Sequence, residues 1–407
     1  MTFNCSLWSD SRLPLSGLLA LFVAMIMAAC ALPQNRIAVG TGGITTDMLV
    51  EASPVVKGRQ LKDFSGLDIV EITPEMAANL DAYIDRDMAE NTKYRRLLRL
   101  VMEDGQFELV YDDVTRTAAE TYRDHRGNCL SFTNLFVAMA RHVGLKASYQ
   151  EVEIPPDWST AGHALLLSQH VNVFVNMSLY SDRVVDFNTE VVNFRVLDLK
   201  PSYERRIISD QRARAHFFNN IGVEYMLLAG DTLSALASLQ QSILEDRTFA
   251  PAWISLGILY RREGFPEYEE ASYLQALKLD PTSLVAMSNL ATLYEDQGLD
   301  ALAGQYRQAV RSHRMNNPYY RYYLADEAFA SGDYQTAIAH LQAAIRKRQD
   351  EDRFYYLLSL SYLMEGDSGA AQHWMRKAGE VAAEDSDRQR YQHKLDMLKQ
   401  MEPERGA

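Results

Sequence analysis

Gly127-Asn128-Cys129 leads directly into the apolar run LSFTNLFVAMARHV, which stops at Gly144. A Cys at the head of such a run is placed to act as a nucleophile. Asn is a good helix N-cap, so Cys129 falls in the first turn. There the helix N-terminus favours negative charge, lowers the thiol pKa and offers a backbone N–H to an oxyanion. A thiolate needs a base beside it, and two downstream histidines compete for that role. His163 lies in STAGHALLL, after a loop with Pro155, Pro156 and Trp158; His170 lies in SQHVNVFVN. Asp186, in VVDFN, could orient an imidazole, and a hairpin between residues 170 and 186 would bring both side chains to one end. Trp158 is a candidate for lining the cleft. The chemistry available to such a set is acyl transfer through a thioester.

The elements that must hold these residues read as mixed α/β. Residues 74–101 predict a helix, with Leu80, Tyr83 and Ile84 on one face, and residues 115–123 a second. Residues 130–143 predict the strongest one, ended by Gly144. Strand-like runs follow over 147–154, 164–177 and 183–187, with Val171, Val173 and Val175 alternating after His170. No zinc, calcium or phosphate-loop spacing is present, His125 and His216 stand isolated, and neither a metal nor a cofactor is expected.

With 407 residues, 47% of them apolar, the chain can build more than one core. Its 41 Lys+Arg against 54 Asp+Glu give a net charge of −13, which argues against nucleic acid as a partner. Residues 13–27 are almost wholly apolar, shorter than the roughly 20 residues that span a bilayer, and follow Arg12. Met27-Ala28-Ala29-Cys30 comes next and resembles a bacterial lipobox, in which cleavage precedes the Cys and its sulfur receives a diacylglycerol. That resemblance implies a signal peptide over 1–29, lipid attachment at Cys30, and an exported chain anchored in the cell envelope. Ala31 points to the outer membrane, facing the periplasm. Cys5 then leaves with the signal, and Cys129 is the one remaining thiol of the three cysteines. Residues 30–60, with Pro33, Gly40, Gly42, Gly43 and Pro54, predict a tether.

From residue 213 onward the pattern is helical and periodic. Gly230, Gly264, Gly298, Gly332 and Gly366 stand 34 apart; five residues after each come Ala235, Glu269, Ala303, Ala337 and Ala371. This resembles the tetratricopeptide repeat (TPR), and Trp253, Leu256, Gly257, Tyr260 and Pro281 match its second unit most fully. Five repeats are expected over 213–382. Tyr391, Leu395 and Leu398 mark a capping helix over 385–401. Glu269 departs from the small residue expected at its position. The resemblance implies a groove for a protein or peptide partner.

The stretch from Thr115 to Asn188 resembles the transglutaminase-like superfamily, whose core is a helix starting at a Cys followed by strands bearing a His and an Asp. TRTAAETYRDHRGNCLSFTNLFVAMARHVGL carries the nucleophile region, SQHVNVFVN the His and RVVDFN the Asp; upstream of Thr115 less is recognisable. The resemblance implies an α+β, cysteine-proteinase-like domain over 61–208, joined to an all-α TPR superhelix. It also implies a catalytic set of Cys129, His170 and Asp186, with His170 favoured over His163 because it opens an alternating strand. The expected function is a cysteine hydrolase or acyltransferase acting on a peptide or protein amide. The alternative is an inactive scaffold whose repeats hold an envelope partner.

Overall fold

The computed structural model describes residues 43–103, 109–153, 169–177, 183–185 and 204–400. Cys30, Trp158, His163 and Asp186 lie outside these described residues.

The first domain is built around one buried helix. After α1 (Thr46–Glu51) come α2 (Pro74–Tyr83) and α3 (Glu90–Leu98), then a wide turn over Arg99–Glu103. The single helix expected over 74–101 is therefore split. At the break the Asp85 carboxylate accepts from the Asp87 N–H at 2.9 Å, a local bond that competes with helix continuation. Strand β1 (Val110–Tyr111), α4 (Ala118–Asp124) and β2 (Arg126–Gly127) follow, β1 and β2 pairing in parallel. Thr117 and Glu120 form a capping box at the start of α4. Helix α5 (Cys129–His142) is buried at every position from Leu130 to Ala140, as a helix apolar all round must be.

Strands β3 (Lys146–Glu153), β4 (Gln169–Asn176), β5 (Arg183–Val185) and β6 (Arg205–Ile208) form an antiparallel sheet in the order β5-β4-β3-β6. Its period-2 alternation sends Ala147, Tyr149, Val171, Val173 and Val175 into the same core as Leu135, Phe136 and Met139 of α5. The polar residues that α5 carries into this core are bonded there. Asn134 accepts from the Tyr149 hydroxyl at 2.9 Å, and the Thr133 hydroxyl donates to the Val171 carbonyl at 3.1 Å.

Helix α6 (Asp210–Glu224) belongs to both parts of the molecule. Ala213, Phe217, Phe218 and Ile221 pack into the first-domain core, and Ala215 into the core of the repeats. A wide turn, Tyr225–Ala229, leads to α7 (Thr232–Glu245). Four more helical hairpins follow: α8 (Ala250–Glu263) with α9 (Pro266–Leu279), α10 (Leu284–Asp296) with α11 (Asp300–Asn316), α12 (Pro318–Ala330) with α13 (Tyr334–Lys347), and α14 (Asp352–Met364) with α15 (Ser368–Val381). The five periodic glycines all sit between the helices of a pair at φ between 64° and 85°, where an L side chain is strained. Helix α16 (Asp385–Gln400) closes the stack through buried Tyr391, Leu395 and Leu398, and the Tyr391 hydroxyl donates to Asp352 at 2.6 Å. The chain is thus an α+β domain followed by an all-α array of helical hairpins that repeat every 34 residues.

The tether expected over 30–60 needs correction. From residue 44 onward it is folded: Leu49, Val50 and Val55 are buried in the core of the first repeats, and Tyr260 donates its hydroxyl to the Leu49 carbonyl at 2.7 Å. These apolar side chains cover repeat surface that would otherwise face water.

Glu269 carries a testable cost. It occupies a site that other repeats fill with fully buried alanine, and it is itself only 2% exposed. Burial pushes its carboxyl up to about 7; Arg261 works against the rise and Asp296 adds to it. A carboxyl raised in the folded state holds its proton there while the unfolded chain, at 4.5, has released it. Stability therefore falls as pH rises from 4.5 towards 7. Glu269→Ala is expected to raise the melting temperature more at about pH 8 than at about pH 5, the difference amounting to roughly 3 kcal/mol at most. Equal gains at both pH values would contradict this account.

Candidate active site

Gly127 comes first because of space. A Cβ there would lie 2.5 Å from Ser131 Cβ, so only glycine lets the chain pass this close to the first turn of α5. Asn128 follows as the N-cap, in extended conformation, its Oδ1 accepting from the Ser131 N–H at 3.0 Å. The Ser131 hydroxyl also donates to Asn128 Oδ1 at 2.9 Å and itself accepts from the Arg116 N–H at 2.8 Å. The amide end of Asn128 donates to Thr115 Oγ1 at 2.7 Å.

Cys129 is thereby the first residue of a capped, rigid helix. It carries a thiol, not a disulfide, and is half-buried. The first turn holds no acidic residue, and the basic residues Arg141 and His142 lie in the last turn. The helix dipole at Cys129 is thus unopposed within its own helix, an arrangement that favours thiolate.

His170 sits near the start of β4, opposite Val152 of β3, and is 5% exposed. The link to the sulfur runs through Thr133. Thr133 lies one turn after Cys129 on the same helix face, about 6 Å along the axis. Its hydroxyl bonds the carbonyl of Val171, the residue next to His170. The helix that Cys129 begins is therefore fastened to the strand of His170 one turn from the sulfur. β5 ends at Val185, paired with Val173 of β4, immediately before the position of Asp186.

Tyr111 is the residue sequence reasoning missed. It is the partner of Gly127 in the β1–β2 ladder, two residues before the thiol. Burial, the charge of Cys129, and those of Asp113 and Asp112 push its phenol up to about 12. The residue is 36% exposed. The only signal in the sequence was an aromatic in a two-residue strand, too short to stand out. Among the described residues no group of three or more His, Cys, Asp or Glu could hold a metal ion.

Residues 78–173 match the family model described as the transglutaminase-like superfamily, so this segment is a transglutaminase-like domain. The match starts within α2, well upstream of Thr115, and includes Cys129 and His170; it ends before Asp186. No curated protein matches the chain. Among solved structures, a MamA protein is 21% identical, over 41% of this chain and 91% of its own, with a TM-score of 0.23. YrrB, described as a TPR protein with an unusual peptide-binding site, is 16% identical, over 44% and 92%, with a TM-score of 0.23. PilF of Pseudomonas aeruginosa is 13% identical, over 47% and 87%, with a TM-score of 0.25.

Proposed function

We propose that the chain is a cysteine acyl-transfer enzyme acting on a peptide or protein amide, with a repeat array that holds a protein partner. The observation that carries this reading is Cys129 as the first residue of a capped helix, tied through Thr133 to the strand of His170. The Cys129 thiolate attacks the amide carbonyl and forms a C–S bond; the charge developing on oxygen meets backbone N–H at the helix N-terminus. His170 gives its proton to the leaving amine as the C–N bond breaks. Water or a second amine then takes the acyl group from sulfur, with His170 accepting its proton. Asp186 holds the imidazole's tautomer.

The test is the reaction itself. Peptide amides are offered with and without a primary amine, and amine release and incorporation are followed by mass spectrometry. An acyl group recovered on Cys129 supports the reading. A chain that never acylates while its repeats still bind a partner is a scaffold instead.

The repeats are the interaction part of this proposal. The first helix of the fourth unit carries Tyr319, Tyr320, Tyr322 and Tyr323, all half-buried. Such amphipathic rings suit peptide contact.

The lipobox resemblance at Cys30 adds a location: the cell envelope, with the chain anchored in the outer membrane and facing the periplasm. Among the described residues no helix is long and apolar enough to cross a membrane. Under this proposal the diacylglycerol supplies the attachment. Cys30→Ser is expected to move the protein from the membrane to the soluble fraction on cell fractionation; persistent membrane association would count against the anchor.

A further inference from the structure

A bonded path leads from the repeat array to the head of the nucleophile's helix. Glu224 is the last residue of α6, the helix that opens the array. Its Oε1 accepts from the Thr115 backbone N–H at 3.0 Å. Thr115 is buried, and its Oγ1 accepts from the Asn128 amide at 2.7 Å. Asn128 Oδ1 then caps the helix that Cys129 begins.

The direction of each bond matters. Glu224 holds the Thr115 backbone by its N–H, and Thr115 Oγ1 accepts from the NH2 end of the Asn128 amide. The carbonyl end is thereby turned towards the Ser131 N–H. Without the carboxylate the Thr115 N–H loses its acceptor, and Oγ1 is no longer held opposite the amide. An amide flipped at that point would set its NH2 against the Ser131 N–H, donor against donor, and the cap would fail.

We propose that Glu224 is a positioning residue for Cys129, through which the first helix of the repeats fixes the amide that caps the nucleophile's helix. This rests on the acyl-transfer reading of Cys129. Glu224 reaches across more than a hundred residues of chain to do so, from a helix whose other face belongs to the repeat core. The consequence is that the array and the thiol are one unit: whatever moves the end of α6 moves the cap.

The test uses the full chain and the rate of Cys129 alkylation by iodoacetamide, read from the Cys129 peptide by mass spectrometry across the thiol titration range. Glu224→Ala and Thr115→Val are expected to move the profile to higher pH and to slow labelling at neutral pH about five-fold, the effect of losing one N-cap. Glu224→Gln and Thr115→Ser each keep the needed acceptor or hydroxyl and recover most of that loss. A residue that merely supports the fold would lower the melting temperature and leave the profile in place, and that result overturns the proposal. Should Glu224→Ala fail to fold, Glu224→Leu, which fills the same space without an acceptor, takes its place. An ordinary thiol profile in the wild type, near pH 8.5, overturns the acyl-transfer reading, whereas a depressed wild-type profile that neither variant shifts overturns only the role of Glu224.

Discussion

Replacing Cys129 with alanine is expected to lower acyl transfer at least about a thousand-fold, because no other group on the path forms the thioester. His170→Ala is expected to cost about a hundred-fold or more, since proton transfer to the leaving amine falls to water. The two losses should not add. Once the sulfur is gone, the imidazole has nothing to activate, so the double variant should be no worse than Cys129→Ala. Single-turnover kinetics with an activated ester separates the two roles. A good leaving group needs little protonation, so His170→Ala should recover part of its acylation rate there, and Cys129→Ala should recover none. His163→Ala serves as the comparison. If that variant loses activity and His170→Ala keeps it, the base has been assigned to the wrong histidine.

Glu151→Ala is expected to destabilise the junction between the two parts by about 3–5 kcal/mol, the cost of leaving a buried ionic network without its acceptor. Glu151 Oε1 accepts from Arg212 Nε at 2.9 Å and from His216 Nε2 at 2.7 Å, and Oε2 accepts from Arg206. Arg212 also bonds Asp246 at 2.9 Å and lies over the Phe249 ring, which His216 touches at 4.4 Å between centroids. Burial works to raise the Glu151 carboxyl, but hydrogen bonds from His216, Arg212 and Arg206 overrule it and hold the group well below the usual carboxylate range. Burial also pushes His216 below 6.5 against the pull of Glu151, so the ring donates to the carboxylate as a neutral imidazole. A carboxyl depressed in this way contributes stability above 4.5 and loses it as pH falls towards the folded value. The gap in unfolding free energy between wild type and Glu151→Ala should therefore be widest near neutrality and shrink below about pH 4.5. Taking the difference between the two proteins cancels the opposite trend from Glu269. A gap under about 1 kcal/mol at pH 7 would mean that the network is solvated and contributes little.

Some of this was legible in the sequence because the physics is local. The periodic glycines report a backbone angle, and all five adopt it. Asn128 before an apolar run reports a cap, and the helix starts at the next residue. His170 was legible as the start of an alternating strand, and β4 begins one residue before it. What escaped is non-local. Residues 44–60 looked like a tether because their few valines and one leucine mean little until Tyr260 and the first repeats stand against them. His216 looked isolated because its partner, Glu151, lies on another element far away in the chain. Tyr111 and the path from Glu224 through Thr115 to Asn128 escaped for the same reason. No pattern of spacing encodes a bond between a repeat helix and a loop that precedes Cys129.

The most direct check on the catalytic account is a titration of the Cys129 thiolate by its ultraviolet absorbance, taken as wild type minus Cys129→Ser so that other thiols cancel. The account predicts a midpoint well below the ordinary value of about 8.5, moving up when His170 is replaced by alanine. A midpoint at or above that value, unmoved by the His170 change, would contradict it.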